Sequence, residues 1–405
     1  MSIGKLQINV FNETVGMPIP GVKIEVANSV DSKTLEELIT NSSGNTDIIN
    51  LTAPPPEYSL EPEAPQPYNQ YSIRVSAPGF ESVTIQDLQV LPDVLALQNV
   101  YMKKSNEEDE NSTFLIPEHT LYGSFPPKIP EDSVKELPRS EGYVILDEIV
   151  VPEFIIVHDG APNDTSAPNY WIPYKEYIKN VASSEIYATW PEEAIKANVL
   201  AINSFTLNRV YTEWYRSRGK NFTVTSSTAY DQKFVYQRNI FQEISNIVDE
   251  LFSTFITKPQ IEQPLFSQYC DGKNVTCPEW LSQWGSKSLA ENGANYIDIL
   301  RTYYGSEIYT EYARQVAGVP SSFPGEVLQS GSSGESVKTI QRQLNAISNN
   351  YPLISKLAVD GIYGQNTINS VKKFQEIFSM PQTGSVDYST WYQISKVYTA
   401  VKRLA

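Results

Sequence analysis

YKEYIKNVASSEIYATWPEEAIKANVLAI, residues 174–202, is the stretch whose reading decides the middle of the chain. Residues 173–185 read as a helix that ends at Glu185, and residues 190–217 as a second helix. Pro191 near the first turn, followed by Glu192 and Glu193, is the chemistry of a helix N-terminus: proline needs no N–H partner there, and the acids meet the positive end of the dipole. Ala194, Ala197, Ala201, Phe205 and Val210 recur every three to four residues, which predicts one apolar face. Between the helices, Ile186, Tyr187 and Trp190 stand close to Glu185 in sequence. An apolar pocket built from such residues holds a carboxyl group protonated near neutral pH. The ordinary alternative for a helix-end glutamate is a solvated charge.

Working outward, residues 222–236 and 264–270 are strand-like, 240–255 are helical, and 288–305 read as a closing helix that stops at Gly305. The apolar run 143–160 opens this unit, and residues 150–320 are predicted to be a central α+β domain. After GVPSSFPGE (318–326), three amphipathic helices at 335–348, 366–378 and 388–402 predict a small all-α three-helix bundle over 326–403. Within it Asp360-Gly361-Ile362-Tyr363-Gly364 reads as a tight turn with glycine supplying positive φ, and Asn366-Thr367 as the cap of the next helix. At the other end, KLQINVF (5–11), PIPGVKIEV (18–26), YSIRVSA (71–77), SVTIQDLQV (82–90) and LALQNVYM (95–102) alternate between turn residues. That predicts an all-β sandwich over 1–104. Residues 105–149, with NEEDENS (106–112) and scattered prolines, read as an acidic, Pro-rich linker and processing region too charged to bury much.

The 405 residues carry a net charge of −16. Residues 1–149 hold 23 acidic and 9 basic side chains, net −14, and 15 of the 27 prolines; the remainder is nearly neutral. Neither nucleic acid nor a membrane is an expected partner for such a chain. There is no apolar run of 18 residues, and MSIGKLQINV lacks the features of a secretory signal. Two histidines and two cysteines are too few for a zinc module or a disulfide scaffold, and leave little for a Ser-His-Asp triad, so neither metal nor cofactor is expected. Cys270 and Cys277 flank a turn and read as a disulfide or as two free thiols. His119 falls in the linker, and His158-Asp159 reads as a turn pair.

GSSGESVKTIQRQLN, VDGIYGQNTINSVKKFQ and TGSVDYSTW, within 331–391, resemble the three-helix peptidoglycan-binding family. The resemblance implies a groove beside the turn that contacts glycan or stem peptide through Asp360, Gly361, Tyr363 and Gly364. Residues 174–202, with SQWGSKSLAENGANYIDILRTYYG (282–305), resemble the SpoIID/LytB family, in which a helix leads to an exposed glutamate and Trp-Pro begins the next helix. This implies that Glu185 is the catalytic acid of a lytic transglycosylase cleaving MurNAc-GlcNAc strands to 1,6-anhydro-muramyl products. Asn203, Ser204, Asp231, Ser282 and Gln283 are the polar residues expected to line its cleft. The chain departs from that family at Ile202-Asn203-Ser204-Phe205, where many members have Ala-Arg-Thr-Tyr, and at Cys277–Leu281, where they have a His-Gly pair. The missing arginine and histidine keep a non-catalytic, amidase-enhancing wall binder open as the rival function, with a water-using muramidase as another.

The front sandwich resembles carboxypeptidase-regulatory or transthyretin-like modules, which bind or space. The whole order resembles the spore cortex-lytic enzymes of the SleC type. That implies a zymogen made without a signal peptide, activated by a protease in germination, and acting on peptidoglycan in the cortex and coat region of the spore. A cut within Ile149-Val150-Val151 would remove −14 of the −16 charge.

Overall fold

The structure is a computed structural model that describes residues 2–13, 17–30, 33–105, 111–135, 149–315, 324 and 326–401. Alternation builds the front domain: in β1 (Ser2–Asn12) Leu6, Ile8 and Val10 are buried, while Lys5, Gln7 and Asn9 keep contact with solvent. β1 pairs antiparallel with β4 (Ile49–Ala53) and parallel with β7 (Leu95–Met102). The facing sheet runs β3 (Thr34–Ile39), β2 (Lys23–Asn28), β5 (Asn69–Ser76), β6 (Ser82–Val90), β8 (Asn111–Leu115). This is the expected sandwich.

β8 departs from expectation, because residues 111–115 were read as linker and instead pair parallel with β6. Residues 116–135 do not span solvent either: Ile116, His119, Leu121 and Lys135 are buried against the rest of the chain. The acidic run that suggested a linker is confined to 106–110. Those residues and 136–148 of the predicted linker lie outside the described residues.

The central domain contains β9 (Val150–Val151), β10 (Phe154–His158), β11 (Asn169–Pro173), α1 (Tyr174–Glu185), α2 (Glu192–Tyr211), β12 (Val224–Thr225), β13 (Ile240–Phe241), α3 (Gln242–Leu251), β14 (Thr254–Thr257), β15 (Tyr269–Cys270), β16 (Leu281–Ser282), α4 (Gln283–Glu291), α5 (Tyr296–Tyr304), β17 (Tyr309–Tyr312) and β18 (Arg314–Gln315). As predicted, α2 begins at Pro191 with Glu192 and Glu193 in its first turn. It is not amphipathic, however. It is buried along nearly its whole length, and α1, α3, α4, α5 and β14 pack around it. Its polar residues are therefore paired inside the domain, as buried polar groups must be. The predicted closing helix is two, separated at Asn292-Gly293, where Gly293 has φ +88° and the Asn295 side chain caps α5 by accepting from the Asp298 N–H at 3.0 Å. The two strand-like stretches shrink to β12 and β15, the rest being loops tied down by side chains.

The sandwich and the central domain share both a sheet and an apolar core. β13 adds to the edge of β7, Ile240 opposite Leu97 and Phe241 opposite Ala96. Beside it, buried Asn239 mimics another strand residue. Its amide donates to the Gln89 carbonyl at 2.9 Å, and its side-chain oxygen accepts from the Gln89 N–H at 3.2 Å. Trp190 Nε1 donates to the Ser59 carbonyl at 2.9 Å.

The C-terminal bundle is α6 (Glu335–Ile347), α7 (Gln365–Ile377) and α8 (Tyr388–Val401), packed around Ile340, Leu344, Phe374 and Trp391. No helix among the described residues is long and apolar enough to cross a membrane.

Candidate functional site

Glu185 is the last residue of α1; the chain leaves the helix at Ile186 with φ −138° and ψ 155°. Expected to be exposed, it is only 2% exposed. Oε1 accepts from the Lys233 N–H at 2.7 Å, while Oε2 is buried without a hydrogen-bond partner among the described residues. The Tyr269 hydroxyl, next to it, is unpartnered in the same sense, and each group shifts the other's titration. Burial raises the Glu185 carboxyl above the ordinary glutamate range. The Lys128 charge, the Tyr269 hydroxyl, and the N–H and charge of Lys233 work against that rise. Burial likewise raises the Tyr269 phenol, so it stays protonated.

A cleft of ≈290 Å³ leads to Glu185. One wall comes from Tyr269 and the loop after it, closed by the Cys270–Cys277 disulfide with Cα atoms 5.7 Å apart. Of the two readings of these cysteines, the structure takes the disulfide. Asp271 also lines the cleft, yet its carboxylate accepts from the N–H groups of Lys273, Asn274 and Val275 and so belongs to the loop. The opposite wall is residues 120–128, with Tyr122, Phe125, Pro126, Pro127 and Lys128. Lys128 Nζ donates to the Asp231 carbonyl and lies 4.6 Å from the Tyr269 ring centroid and 5.6 Å from that of Phe205.

Of the predicted cleft residues, the structure brings Gln283 to the site: it lines the cleft, and its Nε2 donates to the Glu185 carbonyl at 2.9 Å. Ser282 lies alongside as the cap of α4, accepting from the Gly285 N–H at 3.0 Å. Asn203, Ser204 and Asp231 are corrections. Asn203 Nδ2 donates to the Thr254 carbonyl and its Oδ1 accepts from the Tyr174 hydroxyl. Ser204 Oγ donates to the Leu200 carbonyl and accepts from the Ile256 N–H. The Asp231 carboxylate is saturated by Arg209 Nε, the Tyr215 hydroxyl, and the N–H and hydroxyl of Thr225, at 2.7–2.8 Å. All three side chains are fully buried and hold the domain together.

Tyr187 and Trp190 do not wall the cleft either. With Trp284 they form an aromatic cluster, Trp190 to Trp284 at 5.0 Å, and His119 lies 4.5 Å from the Tyr187 ring. Burial holds His119 well below the ordinary histidine range, hence neutral. His158 stacks on Phe222 at 4.4 Å and bonds Asn169 at 2.8 Å.

In the bundle, Gly361 has φ +75°, as the turn requires. Asp360 accepts from the Ile362 N–H at 2.9 Å and from Gln341 Nε2 at 2.8 Å. Tyr363, expected on a binding groove, is instead 1% exposed, and its hydroxyl donates to the Gly384 carbonyl. The cap of α7 is Gly364, with no side-chain bond, and Thr367 is buried. The turn is architecture, because its side chains are spent on the bundle itself.

Comparison with known proteins follows these divisions. Residues 165–252 match the family model described as stage II sporulation protein, and residues 333–394 match the peptidoglycan binding domain model. No curated protein matches the chain. Among solved structures, the SleB N-terminal domain is 32% identical over 18% of this chain and 93% of that one, with a TM-score of 0.16. The minor pilin GBS52 of Streptococcus agalactiae is 16% identical over 27% of this chain and 48% of its own, TM-score 0.18. The 5-hydroxyisourate hydrolase of Klebsiella pneumoniae is 17% identical over 25% and 92%, TM-score 0.17. The two family matches, a stage II sporulation protein stretch at 165–252 and a peptidoglycan-binding stretch at 333–394, support a cell-wall- and spore-related protein.

Proposed function

We propose that the chain is the zymogen of a peptidoglycan lytic transglycosylase of the spore cortex-lytic type, with Glu185 as its single acid and base. The observation that carries this is a buried carboxyl group lining a cleft, raised above its ordinary range, with one oxygen held by a backbone N–H and the other beside the Tyr269 hydroxyl. Protonated, Glu185 donates to the glycosidic oxygen as the bond to the muramic acid anomeric carbon breaks. As carboxylate, it then takes the proton from that sugar's own 6-hydroxyl, which closes on the anomeric carbon to give the 1,6-anhydro product. Two-carboxylate hydrolysis needs a second free acid. Asp271, the other carboxylate lining the cleft, is committed to three loop N–H groups. Gln283 fixes the carbonyl of Glu185 and so the end of α1. The bundle anchors the enzyme on peptidoglycan, and the place of action is the spore cortex and coat region, after an activating protease has cut near Ile149.

The test is mass spectrometry of peptidoglycan digested by a chain beginning at Val151, beside its Glu185→Gln twin. Ends lighter by one water from the first and none from the second are expected. Reducing ends would mean a hydrolase. Intact peptidoglycan from both, with binding retained, would mean a wall-anchored scaffold.

A further inference from the structure

Residues 116–135 do more than pass the cleft. Upstream, the N–H and the hydroxyl of Thr120 both donate to the Ser184 carbonyl of the central domain, at 3.2 and 3.0 Å, while Ile116 and Pro117 stay bonded to β6 of the sandwich itself. Downstream, Gln268 accepts from the Glu131 N–H and donates to the Ile129 carbonyl. Gln263 treats Lys135 in the same two-way manner, at 2.9 Å each. Between these side-chain imitations of a strand, the Glu131 carboxylate makes a bidentate pair with Arg209, at 2.6 and 3.1 Å. The segment thus closes one side of the cleft, held to the central domain at Thr120 before the centre and from Ile129 to Lys135 after it.

At the centre is the Lys128 ammonium. A buried ammonium is costly unless its surroundings are negative. Here they are the Glu185 carboxyl, the Asp231 carbonyl and the faces of Tyr269 and Phe205. Those same groups suit the oxocarbenium-like charge that a sugar develops as its glycosidic bond breaks.

We propose that residues 116–135 are a resident cover that closes the Glu185 cleft, that Lys128 stands where the positive charge of the reacting sugar would stand, and that the clamps on either side keep the segment seated after the chain is cut near Ile149. Activation then takes two events, the cut and the ejection or digestion of the severed front piece. This rests on the acid–base reading of Glu185 given above.

The experiment uses the full chain with a specific protease site placed between residues 136 and 148. After complete cutting, the two pieces are followed by gel filtration and by hydrogen exchange. They are expected to co-elute, with the amides of Thr120, Ile129, Glu131 and Lys135 exchanging within roughly 3-fold of their rates in the uncut chain. Separation of the pieces, or loss of that protection on cutting, would overturn the proposal. A second arm needs no cut. Lys128→Glu sets a carboxylate against Glu185, and is expected to speed exchange across 117–131 and at the Lys233 amide by about 100-fold while β1 stays protected. Unchanged protection over 117–131 would remove Lys128 as the anchor. A Lys128→Glu chain with its cleft freed by this measure, yet unable to cleave glycan, would defeat the transglycosylase reading and leave the occupancy standing.

Discussion

Replacing Asn239 by alanine tests whether the sandwich and the central domain are one cooperative body. Asn239 is fully buried and supplies both partners to the main chain of Gln89. Truncation leaves that N–H and that carbonyl buried and unpaired, each costing about 1–3 kcal/mol, so the loss should be near 4 kcal/mol. With a urea slope of about 3 kcal/mol/M, suited to a body of this size, the midpoint falls by about 1.3 M. Tryptophan fluorescence is a selective reporter, since none of the six tryptophans lies in the sandwich and five fall between 171 and 284. Circular dichroism in the strand region follows the sandwich. Both signals should shift together. A tryptophan midpoint that moves by less than about 0.3 M, while the strand signal moves, would mean that the two units unfold independently and that the shared sheet contributes little. Gln89→Ala is the control. It keeps the main-chain pair with Asn239 but loses the bond to the Pro117 carbonyl and an acceptor for Arg238, and should cost about half as much.

Replacing both Cys270 and Cys277 by serine reopens a short loop and should lower stability by about 2.5 kcal/mol, read in the same urea titration. Because that loop forms a wall of the cleft, glycan cleavage should fall as well. Tyr363→Phe removes only the bond to the Gly384 carbonyl, costing the bundle about 1 kcal/mol while leaving peptidoglycan sedimentation unchanged; a loss of binding with the bundle folded would restore Tyr363 to the binding surface. Gln283→Ala frees the end of α1 and should lower kcat roughly 10-fold with KM nearly unchanged, measured on soluble glycan strands. The alkaline limb of the pH–rate profile should lie above the ordinary glutamate range, because burial raises Glu185. A rate flat from pH 5 to 9 would speak against Glu185 as the acid.

Much of the frame was legible because it rests on short-range pattern. Period-2 alternation in β1, β2 and β7 marked the sandwich, and Pro191-Glu192-Glu193 marked the start of α2. The residues around Glu185 were legible only in part. Gln283 was found because it stands at the start of a recognisable closing segment. Lys128 and Tyr269 were missed because each is a single residue with no periodic partner, in stretches read as linker and as strand, and their meaning comes from being folded onto Glu185. Asn203, Ser204 and Asp231 misled for the opposite reason. Asn203 and Ser204 are polar residues of a helix and so read as facing a cleft, but α2 is enclosed on all sides and they serve buried neighbours; Asp231, in the loop after β12, is spent on the buried Arg209. Tyr363 follows the same logic in the bundle, where an aromatic beside a glycine turn closes the core.

The pairing of β13 with β7 has a consequence for the front piece once it is on its own. Among the described residues, two of the central domain pair with that edge, yet β7 continues over Leu95–Met102 with alternate residues buried. Stripped of β13, the sandwich becomes a sticky half-molecule whose open border invites a second copy to pair with it. The severed piece is therefore expected to dimerise or to be cleared quickly, and either fate would keep it from returning to the cleft it left.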